Sequence, residues 1–224
     1  TGTGSLVADG DVTNNAAISQ DTITINGGNL TTDASLLTTA NGITNNAGLT
    51  LTGGENDDDI SGTGMTYIDG TVTNSGDVTT DIQVNATGNY STLTDVTSTV
   101  ENRNIVQLID ADITGDGRIK GSGTINVLGD TEVTDNGQIT GSVVNISAGA
   151  ALHSDSDKVT AAITNDGTYE ITAGTGNANV ISGSGDLLIS GGTIANTAAI
   201  SQGNITITGG SLTSDADLLT SVGG

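Results

Sequence analysis

Residues 43–54 read Ile43-Thr44-Asn45-Asn46-Ala47-Gly48-Leu49-Thr50-Leu51-Thr52-Gly53-Gly54. Two features of this stretch decide the fold. Leu49-Thr50-Leu51-Thr52 alternates apolar and polar residues, the period of a half-buried strand. The Gly-Gly pair after it supplies the open dihedrals of a turn. Ile43 to Leu49 also forms a motif: apolar, any, Asn, any, Gly or Ala, any, apolar. Seven copies of it occur, some degenerate. Their Asn or Asp positions are Asn14, Asn45, Asn74, Asn102, Asp135, Asn165 and Asn196. These recur at a spacing of roughly 30 residues. Their closing apolar positions are Ile18, Leu49, Val78, Val106, Ile139, Tyr169 and Ile200.

A second motif appears in every other unit, as Thr1-Gly2-Thr3-Gly4, Ser61-Gly62-Thr63-Gly64, Lys120-Gly121-Ser122-Gly123 and Ser182-Gly183-Ser184-Gly185. Residues 18–42 also return as a near-copy at 200–224. Repeats of this period mean a solenoid or array. The predicted fold is all-β, a parallel β-helix (β-solenoid) of about seven coils of about 30 residues, with about eleven coils of about 20 residues as the alternative. In the longer register the seven Asn/Asp positions stack into one column as a structural ladder, and the closing apolar column lines the interior. Residues 1–224 read as a single solenoid domain, a segment of a longer repeat array.

Composition fits this design. The chain has 34 Gly, 1% aromatic residues, and no Phe, Trp, Pro or Cys. A solenoid needs only a thin row of Ile, Val and Leu per coil, so it can do without the large aromatics of a globular core. Acidic residues outnumber basic ones 26 to 4, for a net charge of −22. Four basic residues cannot neutralise many phosphates, which excludes nucleic acid as a partner. No apolar run reaches the length of a membrane span. The absence of Cys removes any disulfide framework or thiol chemistry. The charge keeps an edge-bearing rod soluble.

The text of Ile43–Gly54, of Ile60-Ser-Gly-Thr-Gly64, of Gly70-Thr-Val-Thr-Asn-Ser-Gly76 and of Ile181–Gly192 resembles the repeats of bacterial β-helical surface proteins. These are autotransporter passenger domains, two-partner secreted exoproteins and large repetitive adhesins. The resemblance covers nearly the whole chain. It implies a parallel β-helix, commonly right-handed, and an extracellular place, secreted or on the bacterial cell surface.

Candidate sites are few. Gly53–Ile60 resembles a single calcium-binding nonapeptide of the RTX type, with Asp57, Asp58 and Asp59 as the oxygen donors, but no tandem copy follows to share the ion. Asp110, Asp112 and Asp116 alternate ahead of Gly117 as in an EF-hand loop, without the bidentate acid or the helices. Both are weak calcium candidates, and no other cofactor is expected. His153, the only His, reads as a solvated residue in an exposed loop. Arg118 and Lys120 beside Asp112 and Asp116 form the one mixed-charge cluster. Tyr67, Tyr90 and Tyr169 are too scattered for a sugar platform, and no nucleophile elbow is present. The chain is therefore read as not an enzyme. The expected function is that of an adhesin-like or structural spacer, meeting a cell-surface, matrix or carbohydrate ligand. A self-assembling subunit of a filament or surface layer is the alternative, and a carbohydrate-active β-helix is a further one.

Overall fold

The computed structural model describes residues 2–221. Thr1, which opens the first Gly-x-Gly motif, and Val222–Gly224, which end the terminal near-copy, lie outside the described residues. The described residues form short strands with only two single-turn 3-10 helices, Ala34–Leu36 and Ala216–Leu218. The inter-strand ladders are parallel throughout, and they join strands about one turn apart along the chain. The chain is therefore a parallel β-solenoid.

The coil is shorter than the motif spacing implied. Met65 pairs with Asp81, and Asp130 with Ala151, so one turn takes roughly 16 to 21 residues. The average is about 18 residues, which gives about 12 turns. Each turn has three sides. In the third turn these are Ile43–Asn45, Gly48–Leu51 and Gly54–Asn56, with short corners between them. In turns five to seven the first side thins to isolated bridges at Val78, Val96 and Ile113. Gln138–Ile146 and Val159–Asn165 run through the corner between the second and third sides and join the two sheets.

Side-chain alternation explains why these residues make this shape. Val72, Tyr90, Val106, Ile125, Val144, Ile163 and Ile181 follow one another down the inside of the third side. Each is buried. Ile and Val are stiff at χ1 and favour the pleated surface, so they tile a narrow core. Of the expected inward residues, Leu49, Val78, Val106, Ile139, Tyr169 and Ile200 are buried, and Ile18 is partly buried near the open first turn. They do not form one column. Ile18, Val106 and Ile200 lie on the third side, Leu49 and Ile139 on the second, and Val78 and Tyr169 on the first.

Corners need close approach between successive turns. A Cβ added to Gly70 would collide with the carbonyl oxygen of Thr52, one turn earlier. Only glycine leaves room there.

Candidate functional site

The seven motif positions do not stack in one column either. A spacing of roughly 30 residues is about five-thirds of a turn, so each copy moves to another side. Asn14, Asn102 and Asn196 end second-side strands or follow them. Asn45 and Asp135 belong to the first side, and Asn74 and Asn165 to the third. The third-side register runs Asn74↔Thr92↔Leu108↔Val127↔Ile146↔Asn165, so that column regains an Asn only after five turns.

These Asn residues build two kinds of corner clasp. Asn45, Asn102 and Asn165 sit beneath the Gly-x-Gly motifs of the following turn. Gly64, Gly123 and Gly185 donate backbone N–H groups to their carbonyls at 2.8, 3.0 and 2.9 Å. Their side-chain amides donate to the carbonyls of Met65, Thr124 and Asp186. Their Oδ1 atoms accept from the backbone two residues on. Gly62, Gly121 and Gly183 take φ of 117°, 125° and 126°, and a side chain there would collide with the Asn carbonyl. In the other copies Asn14, Asn74 and Asn196 donate to the carbonyl two residues ahead and to the hydroxyl of Thr32, Thr94 or Ser214 one turn on. The alternating Gly-x-Gly text is thus an alternation of corner chemistry. Short ladders exist as pairs: Asn56 donates to Asn74 at 2.7 Å and Asn177 to Asn196 at 2.8 Å.

The calcium candidates are engaged with neighbouring turns. Asp57 accepts from the Ser75 hydroxyl, Asp58 from the N–H and hydroxyl of Thr39, and Asp59 from the N–H of Asp77. Asp110 accepts from the N–H of Asp130, Asp112 from that of Glu132, and Asp116 from the Asn136 amide. Among the described residues no three His, Asp or Glu side chains converge as a metal site. The same bracket recurs at Asp11, Asp81, Asp95 and Asp166, each taking an N–H from the next turn. Asp166 accepts both the N–H and the hydroxyl of Ser184, and these bonds hold its carboxyl below the usual range. Charge-assisted acceptance of this kind favours the ionised acid.

His153 is placed differently from the loop expected for it. It lies in the strand Ala151–Asp155 on the outside of the first side. Its Nδ1 is 2.8 Å from Glu170 and its Nε2 2.9 Å from Asp130, the carboxylates of the turns above and below. The Ser190 hydroxyl, and then His153, hold the Glu170 carboxyl below its ordinary value. The two ring nitrogens point apart, so the three groups form a strut across three turns and do not converge on a substrate position.

The mixed-charge cluster spreads along the second side. Lys120 pairs with Glu101 at 3.7 Å, while Arg118 stands in register between Thr99 and Gln138. Lys158 pairs with Asp155 at 3.4 Å. Tyr90 and Tyr169 are core residues. Burial pushes the Tyr169 hydroxyl up to about 12, and it meets Ser154 Oγ at 3.1 Å. Only Tyr67 stays near the surface, in a shallow cleft with Asn29, Thr50 and Asn85.

Charge is distributed unevenly among the sides, a feature that linear sequence conceals. From the fourth turn to the twelfth, the third-side strands Thr71–Asn74, Asn89–Thr92, Ile105–Leu108, Thr124–Val127, Ile181–Ser182, Ile200–Gln202 and Leu219–Ser221 hold no charged residue, nor do residues 143–146 and 162–165. The first and second sides carry Asp130, Glu132, Glu170 and Asp186, and Glu101, Arg118 and Lys120, on their strands.

No helix among the described residues is long and apolar enough to cross a membrane. No protein-family model matches the chain, and no curated protein or solved structure is detectably similar to it.

Proposed function

We propose that the chain is a non-catalytic, adhesin-like structural spacer of an extracellular bacterial surface protein. The observation that carries this reading is parallel strand pairing between successive turns from the first to the last of about 12. At a strand spacing of about 4.8 Å such a stack is a rod of roughly 55–60 Å. Each turn is tied to the next by backbone ladders, a continuous apolar core and side-chain clasps, and this makes the rod stiff. A rod of this kind holds what lies at its ends apart and offers rows of Thr, Asn and Asp along its sides to a surface, matrix or carbohydrate ligand. The resemblance of the repeat text to autotransporter passengers, exoproteins and repetitive adhesins supports the extracellular place. The lack of Cys is compatible with it.

The test is immunolabelling of intact producing cells with antibodies against this chain. Labelling that disappears after protease treatment of intact cells is the expected result. Labelling seen only after permeabilisation overturns the extracellular reading.

A further inference from the structure

We propose that the third side is a lateral interface through which two copies of this chain associate. This goes beyond the spacer reading and does not depend on where the protein resides.

Three observations carry it. First, the molecule has a net charge of −22, yet the third-side strands of nine consecutive turns are uncharged. The strands of the other two sides carry charged residues, among them Asp130, Glu132, Glu170 and Asp186 on the first and Glu101, Arg118 and Lys120 on the second. Second, the corner rows that flank these strands are partly apolar, although Asp166 stands in the same row as Leu93 and Leu128. Leu93 and Leu128 are 46% and 42% exposed, and each directly follows a third-side strand. Val180, 48% exposed, directly precedes Ile181–Ser182. Among the described residues, the other three large exposed apolar side chains, Val7, Val12 and Ile207, lie in the first and last turns. Exposed apolar residues gathered along one side of a soluble chain mark an interaction surface. Third, part of the central outward row is hydrogen-bonded within the row. Ser91 donates to Gln107 at 2.7 Å and Asn145 to Asn126 at 3.0 Å. Side chains whose hydrogen bonds run along the rod, as these four do, lose little when water is removed from above them.

The occupant follows from the same facts. A second copy presents the same neutral row at the same rung spacing, so contacts repeat at every turn, as in the mated sheets of a steric zipper. Nine rungs of about 4.8 Å, each two to four residues of about 3.3 Å, give roughly 500 Å² per copy. The pair buries roughly 1,000 Å², below the standard size of a stable interface, which makes the association weak and reversible. Asp77, Asp95 and Asp166, at corners of this side, form an acidic rim, so added salt strengthens the pairing by screening.

Sedimentation equilibrium of the chain over a wide concentration range, at about 20 mM and about 300 mM NaCl, tests this. A monomer–dimer equilibrium that tightens at the higher salt is expected. The Leu93→Asp/Leu128→Asp variant is expected to weaken it at least tenfold. A control, Thr79→Asp/Thr97→Asp, adds the same charge to the outer surface of the first side and is expected to change it less than threefold. Both variants replace exposed side chains, and circular dichroism checks their fold. A monomer under every condition overturns the proposal. So does a dimer that both variants weaken equally, or one that neither weakens.

Discussion

At the residue scale, the polar side chains hold the corners where backbone ladders stop. Asn165 is fully buried and serves three groups: it accepts from the Gly167 N–H and donates to the Asp186 carbonyl and to Gln202. Asn165→Ala leaves the Gly167 N–H and the Asp186 carbonyl without these partners. An unsatisfied buried group costs about 1–3 kcal/mol, so a loss of about 2–4 kcal/mol is expected in denaturant unfolding. Asp166, next in sequence, tests the carboxylate brackets through pH. Its folded pKa lies below the ordinary 3.8, so its contribution is present above that value and lost as pH falls through the folded pKa. The melting temperature of Asp166→Ala is expected to lie below that of the parent above about pH 5, and the gap to close as pH is taken below 3.8. The difference between the two proteins matters here because protonation also relieves the general acidic repulsion in both. A gap independent of pH would assign the effect to something other than the ionised acid.

At the element scale, the strand is the unit that repeats. Alternation in Leu49-Thr50-Leu51 and the phase of Ile139, Tyr169 and Ile200 already mark which residues face inward, because an apolar row must be buried in any strand packing. Ile139→Asp puts a carboxylate into a position with no exposure, beside Ile119 and Val159. Local unfolding is expected, with loss of the strand signal in far-UV dichroism and a lowered melting temperature. Coil length was not legible in the same way. A motif period of about 30 residues holds about five strand-and-corner units, and a turn holds three. Strand units remain in phase without the motif repeating once per coil, and only pairing across turns tells the two periods apart. The clasp between Asn45 and Gly62-Thr63-Gly64 contains that information, since it links residues one turn apart. It is visible only once both motifs are read as partners. His153 illustrates the remaining gap. Its carboxylate partners, Asp130 and Glu170, each lie a full turn away along the chain, and nothing connects the three until the coil is known. Close approach at corners gives a further test. Gly70→Ala drives a methyl group into the Thr52 carbonyl and is expected to cost about 1–3 kcal/mol, as overpacking does elsewhere.

At the scale of the whole molecule, the coil count sets the length of the rod and the side each residue faces. Thr24 and Thr206 occupy equivalent places in the two near-copies at 18–42 and 200–224. Both lie on outward positions of the first side, in the second and the last turns: Thr24 pairs with Thr44, and Thr206 with Leu188. Ten turns of about 4.8 Å place them about 48 Å apart on one face. Coils of about 30 residues would put six rises between them, about 29 Å. The chain has no Cys, so Thr24→Cys/Thr206→Cys carries two spin labels and nothing else reacts. Pulsed dipolar spectroscopy is expected to give a single narrow distance of about 48 Å, broadened by the label linkers. A narrow distribution also measures stiffness, because in a stack where each turn touches only its neighbours any loosened interface would spread the ends. A distance of about 29 Å would restore the longer coil, and a broad distribution would remove the rigidity on which a spacer depends.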